Sequence, residues 1–187
     1  MILSQSRIQE LVDNGEIVIH PYRRECVNPN SYDVHLGEYI GVYVDAHLDA
    51  KKHNKIQIKK IPLEGMMLMP GELYLAVTEE YTESHTVVPT LDGKSSVGRL
   101  GIDIHCTAGK GDVGFCGKWT MEIKVVKPVI VYSYMEIGQL TYYQLSGGVE
   151  VPQKYNEKTT SKYNNQSDLP MESMMWKNFS HLYEPGL

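Results

Sequence analysis

The sequence predicts a mainly β domain, a barrel or jelly-roll-like sandwich, that follows a single N-terminal helix. A helical pattern begins at Ser4, places Ile8, Leu11 and Val12 on one face, and ends at Gly15. Beyond that glycine the period changes, because short β-branched and aromatic segments alternate with glycine, proline or charged turns. Many short strands after one helix are typical of a barrel or a sandwich. The predicted strands are Tyr39–Val44, Lys55–Ile61, Leu73–Thr78, Thr120–Val126, Val129–Tyr134 and Gln139–Leu145.

Length and charge restrict the classes of function. The 187 residues are enough for one domain, predicted at residues 1–152, with a polar C-terminal tail at residues 153–187. The formal net charge of −5 provides no basic field for nucleic acid or an anionic membrane, so neither is expected as a partner. No apolar run approaches the roughly 20 residues of a membrane span. We therefore expect a cytoplasmic protein, or one in the host cytoplasm if a virus encodes it.

The three cysteines disfavour both a disulfide framework and a cysteine-rich zinc site. Cys26, Cys106 and Cys116 are an odd number and contain no CxxC pair. They are expected to be packing thiols of a reducing compartment.

Glycine is concentrated in one region, which holds seven of the sixteen glycines between residues 93 and 117. Its first segment, Gly93–Arg99, combines Lys94, Ser95, Ser96 and Arg99 with two glycines and has no helix-forming run. Backbone N–H groups, hydroxyls and cations in one turn suit phosphate oxygens. The order differs from that of a Walker A loop, and a solvated turn fits these residues equally well.

Two carboxylates follow, and each has a structural as well as a functional interpretation. Asp112 stands in glycine-rich backbone, where it could cap a turn or face a ligand. Glu122 lies on a predicted strand whose alternation places it with Thr120 and Lys124 on one face. On that face it could pair with a lysine in solvent or act in a site.

The order of several motifs resolves these alternatives by resemblance. The chain resembles a dCTP deaminase of the dUTPase-like superfamily over about residues 1–167. His35 is the main departure within these motifs, since arginine is common at its position. The matching segments are Leu3-Ser4, Asn28–Gly37, Pro70-Gly71-Glu72, Gly93–Ile123, Ile137–Leu140, Tyr155, Ser161-Lys162-Tyr163 and Gln166.

The resemblance implies a role for each matched residue. Glu122 would be the catalytic acid/base, Ser95 and the carbonyl of Ala108 would hold the attacking water, and Arg99 would support the site. The remaining contacts would be made along the pocket and by a tail that closes over the triphosphate. The implied nucleotide-binding residues are Lys94, Ser95, Ser96, Arg99, Asp112, Thr120, Met121, Glu122, Tyr155, Lys162 and Gln166.

The resemblance also implies a dUTPase-like distorted jelly roll that assembles as a homotrimer, with active sites between subunits. Mg²⁺ would enter only as the counterion of the triphosphate, without a protein metal site. The deaminases that activate water on zinc carry an H-x-E…P-C-x-x-C signature, and this sequence lacks both halves. A zinc-independent deaminase must hold its water by hydrogen bonds, and one carboxylate can move each proton in turn.

The main functional expectation is therefore hydrolytic deamination of dCTP to dUTP and ammonia, in support of thymidylate synthesis. A bifunctional enzyme that continues to dUMP and diphosphate is the alternative, with Asp112 orienting a second water toward the α-phosphate. A dUTPase fits less well, because its strand usually has an apolar residue where Glu122 stands. A non-enzymatic nucleotide-binding regulator is the remaining possibility. His105 could hydrogen-bond in the site or be structural, and the role of residues 169–187 is left open.

Overall fold

The computed structural model describes residues 1–147 and 153–183, and it confirms a mainly β chain with few helices. Two α-helices and ten strands are described. Short 3-10 helices at Arg24–Cys26, Tyr155–Glu157 and Met175–Tyr183 complete the regular structure. The elements in chain order are α1 Gln5–Asp13, β1 Ile17–His20, β2 Tyr32–Tyr43, β3 Ile56–Lys60, β4 Met66–Leu68, β5 Tyr74–Ser84, β6 Val87–Gly93, α2 Ser95–Arg99, β7 Ile102–Asp103, β8 Phe115–Val125, β9 Val129–Val131 and β10 Glu136–Gln144.

Helix α1 forms as predicted. Ser4 is its N-cap residue and Asn14 its C-cap residue, and Gly15 follows with a positive φ of 73°. The Ser4 side chain makes no capping hydrogen bond, so extended backbone alone begins the helix. Ile8 and Leu11 are buried, which packs the apolar face of the helix into the core.

The strands form one barrel-like sheet of eight strands and a separate pair. The larger sheet follows the order β6-β10-β2-β5-β8-β7, with β1 added to β5 and β3 added to β2, while β4 pairs with β9. All six predicted strands lie on observed ones, although β2, β8 and β10 begin three to seven residues earlier and β5 ends six residues later than predicted. The prediction missed β1, β4, β6 and β7. No helix among residues 1–147 and 153–183 is long and apolar enough to span a membrane.

The segment predicted as an irregular turn at Gly93–Arg99 is partly helical, which corrects that expectation. Residues Ser95–Arg99 form the single turn of α2. The preceding Lys94 donates from Nζ to Asp33 at 2.5 Å and to Glu136 at 2.6 Å. Burial opposes the charge of Lys94, but the two carboxylates raise its pKa above the ordinary value. These ion pairs fix the start of α2 against β2 and β10.

A buried carboxylate joins β2, β5 and the N-terminal region. Glu80 is fully buried, and its Oε1 lies 2.6 Å from His35 Nδ1 and 3.1 Å from Arg23. Its Oε2 accepts the His35 backbone N–H at 2.9 Å. The histidine that departs from the family pattern therefore shares this carboxylate with an arginine from elsewhere in the chain. A buried charge is tolerated when it is paired and hydrogen-bonded in this way.

The C-terminal tail runs along β8. The Tyr155 N–H donates a hydrogen bond to the Val113 carbonyl at 2.9 Å, and the Asn165 N–H donates one to the Cys116 carbonyl at 2.7 Å. The predicted boundary after residue 152 lies at the end of residues 148–152, outside the described residues. The domain division therefore remains a prediction.

Replacing Ile8 with alanine should lower the free energy of unfolding by about 2–4 kcal/mol, because a fully buried side chain leaves a cavity under α1. Ile2, which is 50% exposed, is the matched control, and its alanine variant should change stability by at most about 0.5 kcal/mol. Urea denaturation monitored by circular dichroism measures both values. Equal losses in the two variants would contradict the packing of α1.

Candidate active site

Strand β8 provides the first side chains of the site. Trp119, Met121 and Ile123 are buried in the core, while Thr120 and Glu122 alternate with them on the other face. This alternation confirms the face predicted from the sequence. The Met121 side chain is completely buried, so only its backbone is available to a nucleotide.

Thr120 and Glu122 face a cavity of about 570 Å³. One wall is aromatic, since Phe115 and Trp119 pack with ring centroids 4.7 Å apart and Tyr155 lies 6.3 Å from Phe115. Apolar walls with a few polar groups are typical of small-molecule sites. The predicted residues that line this cavity are Ala108, Asp112, Thr120, Glu122, Tyr155 and Gln166.

The Glu122 carboxylate lies where β8 meets the turn that follows β7. The Glu122 backbone N–H donates a hydrogen bond to the Ile104 carbonyl at 3.0 Å, which connects the strand to that turn. Oε2 accepts the Cys106 backbone N–H at 3.3 Å and lies 3.4 Å from His105 Nδ1. The side chain is 28% exposed, so it is partly withdrawn from water but open to the cavity. A carboxylate in this position can exchange protons with a bound ligand or water.

The tail supplies Gln166, which is buried against β8. The Thr120 hydroxyl donates a hydrogen bond to the Gln166 side-chain oxygen, and the Lys118 N–H donates to the Gln166 carbonyl at 3.3 Å. Gly117 permits this approach, because its φ is 147° and a Cβ there would lie 2.9 Å from the Gln166 nitrogen. The tail therefore reaches the same face of β8 as Glu122.

Six predicted residues do not line the cavity within the described parts of one chain: the buried Met121 and five polar or charged residues. Ser95, Ser96 and Arg99 are exposed on α2. Lys94 is held by its two ion pairs, and Lys162 donates a hydrogen bond to Asn178. The cations and hydroxyls expected at the phosphates are thus separated from Glu122 in a single chain.

The end of the tail contributes residues that the sequence interpretation missed. The Tyr43 hydroxyl accepts the Ser173 N–H at 3.1 Å, and the Tyr163 hydroxyl accepts the Met174 N–H at 2.9 Å. The sequence left the role of residues 169–187 open and gave no signal for these contacts. The missed residues that line the cavity include Tyr43, Met171, Glu172, Ser173 and Met175.

Glu172 pairs with His53, which lies on the loop between β2 and β3. Burial opposes ionisation of Glu172, but hydrogen bonds from His53 and from the backbone lower its pKa below the ordinary value. Burial raises the pKa of Tyr43 on the same wall. Among the lining residues that are described, Lys110 is the one cation, beside the carboxylates of Asp112, Glu122 and Glu172.

One group of potential metal ligands occurs in the described residues, and it lies outside the cavity. His35, Glu79 and Glu80 have ligand atoms within 4.8 Å of one another. Arg23 binds both carboxylates of this group, at 2.8 Å from Glu79 and 3.1 Å from Glu80. An arginine between the carboxylates fits an ion-pair network better than a cation site.

Comparisons with known proteins agree on one family. A family model described as dCTP deaminase-like matches residues 2–145. A protein of Cytophaga hutchinsonii named "dCTP deaminase, dUMP-forming" is 45% identical over 96% of this chain and 99% of its own length. A protein of Leptospira biflexa serovar Patoc with the same name is 44% identical over 96% of this chain and 98% of its own.

The fold has a counterpart among crystal structures. The 2'-deoxycytidine 5'-triphosphate deaminase from Agrobacterium tumefaciens aligns with a TM-score of 0.60 and 20% sequence identity. The alignment covers 77% of this chain and 48% of that chain, so this chain spans about half of that protein's length. The resemblance inferred from the ordered motifs is confirmed by the family model and the relatives together. The chain therefore belongs to the dCTP deaminase-like family.

Proposed function

We propose that this protein hydrolyses dCTP in two steps, first to dUTP and ammonia and then to dUMP and diphosphate. The observation that carries the first step is the Glu122 carboxylate, which faces the cavity beside the turn of Ala108. The names of the relatives support the second step, because both proteins are called dUMP-forming. The comparisons thus favour the bifunctional alternative over release of dUTP alone, which the sequence made the main expectation.

In the deamination step, Glu122 accepts a proton from a water molecule that attacks C4 of the cytosine ring. The same carboxyl group passes that proton to N3, then takes the remaining proton from the hydroxyl of the tetrahedral intermediate at C4 and delivers it to the departing amine. The C4–N bond breaks, ammonia leaves, and the uracil ring remains. The water is held by the carbonyl of Ala108 and by the hydroxyl of Ser95 from a neighbouring subunit, since Ser95 of the same chain does not line the cavity. Glu122 supplies every proton transfer from one position, so the chemistry needs the carboxylate close to both water and ring.

In the second step, another water attacks the α-phosphorus of dUTP, and diphosphate leaves. Asp112 lines the same cavity and is suited to orient that water. Mg²⁺ would arrive with the triphosphate and neutralise part of its charge. We propose that the enzyme acts in the cytoplasm, where the nucleotides are made and used.

The site is proposed to be completed by a second chain in a homotrimer. Lys110 is the one cation among the described residues that line the cavity, which is too little for a triphosphate. Ser95, Ser96 and Arg99 are exposed on α2, in a position to face another subunit. From that subunit they would contact the nucleotide and its attacking water, with Tyr155, Lys162 and Gln166 of the tail closing over the nucleotide.

Incubation with dCTP and Mg²⁺ should release ammonia and diphosphate in equal amounts, with dUMP as the nucleotide product. Ammonia is measured by a coupled assay and the phosphorus species by ³¹P NMR on the same sample. Ammonia with accumulating dUTP would exclude the second step. No ammonia at all would exclude the proposed deamination.

Replacing Glu122 with glutamine should lower kcat for ammonia release by about 10²–10⁴-fold, since the amide cannot accept the water's proton. Binding of dCTP, measured by calorimetry, should stay within about threefold of the unchanged enzyme, because glutamine keeps the shape of the side chain. Glu64, which is exposed on the loop before β4, is the matched control, and Glu64→Gln should leave kcat unchanged. Near-normal ammonia release by Glu122→Gln would refute the role given to this carboxylate.

Mixing two inactive variants tests the intersubunit site. Glu122→Gln and Arg99→Ala chains, unfolded together and refolded, should recover about a quarter of the unmutated activity, because one site in four pairs an intact Glu122 with an intact Arg99. Each variant refolded alone is the control. If both residues of a site come from the same chain, the mixture will show no recovery.

A further inference from the structure

We infer that His105 is a positioning residue for Glu122, whose Oε2 accepts a hydrogen bond from the imidazole Nδ1–H. The inference rests on the proposed deamination and decides between the two roles that the sequence left open for this histidine. Nδ1 lies 3.4 Å from Oε2, which also accepts the Cys106 N–H at 3.3 Å. Hydrogen bonds of catalytic groups are often long before substrate binds and shorten in the complex.

The imidazole ring is confined on its other side. The His105 side chain is only 13% exposed, and its ring packs against Gly109, which is in the same turn as Ala108. A Cβ at position 109 would lie 3.1 Å from the ring and 2.6 Å from the Leu91 carbonyl, so this turn has no room for a larger residue. The ring therefore lies between Glu122 and Gly109, next to the residue whose carbonyl is proposed to hold the water.

The surroundings of the ring favour one tautomer. Nε2 is buried and has no hydrogen-bond partner within residues 1–147 and 153–183. With the proton on Nε2, a buried N–H would be unsatisfied, and a lone pair on Nδ1 would face the lone pairs of the Glu122 carboxylate. With the proton on Nδ1, the carboxylate gains a donor, and only a weak acceptor remains unpaired. The geometry therefore points to the Nδ1–H tautomer of His105.

Two donors on one carboxylate oxygen give the two oxygens different roles. Oε2 is occupied by Cys106 N–H and His105 Nδ1–H, whereas Oε1 has no hydrogen-bond partner in the described part of the chain. A proton taken from water will therefore reside on Oε1 and can be delivered from there to the ring. His105 acts through this orientation, and it need not touch the substrate.

Three substitutions separate donation from packing. An asparagine amide can replace Nδ1–H, a glutamine amide reaches toward Nε2, and phenylalanine fills the space without a donor. We expect His105→Asn to stay within about threefold of the unmutated kcat for ammonia release, and His105→Gln and His105→Phe to lose about 10–100-fold, the usual effect of removing a hydrogen bond to a charged group. KM for dCTP should change by less than about threefold in all of them, because substrate binding does not use this bond.

A packing role gives the opposite order, with phenylalanine at least as active as asparagine, and that order would overturn the inference. The unmutated enzyme in the same assay distinguishes failure of the positioning role from failure of the proposed deamination. If the deamination itself is wrong, the unmutated enzyme will also release no ammonia. Variants that unfold do not remove the test, since ¹⁵N NMR of histidine-labelled unmutated protein reports the tautomer directly. A His105 signal typical of Nδ1–H supports the inference, and one typical of Nε2–H contradicts it.

Discussion

The pleat of β8 is the constraint on which the geometry of the site depends. Met121 and Ile123 lie in the core, and burial of each such side chain stabilises the fold by about 1.5–3 kcal/mol. Because successive side chains point to opposite faces, Thr120 and Glu122 must then face the cavity. A slip of one residue would bury the Glu122 charge and expose two core side chains. The position of the proposed acid/base is therefore set by hydrophobic packing on the far side of its own strand.

Close approach of backbone at two glycines then brings the remaining groups to that strand. Gly117 lets the tail lie against β8, where Gln166 meets Thr120. Gly109 gives room for the His105 ring next to the turn of Ala108. A side chain at either position would contact backbone atoms closer than about 3 Å, which the surroundings could accommodate only by moving. Thus the glycine concentration in this region serves the approach of other segments more than the formation of turns.

Local patterns were sufficient to predict some elements but not others. Helix α1 and the alternation of β8 follow from periodicity, which depends only on neighbouring residues. The turn of α2 was missed because its start is fixed by ion pairs of Lys94 with Asp33 and Glu136, residues far away in sequence. The contact of Glu172 with His53 spans 119 positions and has no local signature. Interactions of that range are decided by the folded topology, so a single sequence does not display them.

The charges that line the cavity explain why one chain is enough for the fold but not for the proposed site. The described lining residues bring three carboxylates and one lysine to the cavity, an arrangement that repels a triphosphate. Arg99 and the two serines of α2, which are the groups proposed to bind the nucleotide, are meanwhile exposed. If α2 of a neighbouring subunit supplies these groups, assembly and nucleotide binding become thermodynamically linked, because nucleotide that binds only the assembled form stabilises it. A monomer of this chain would then be folded, with Glu122 in place, yet unable to hold its substrate.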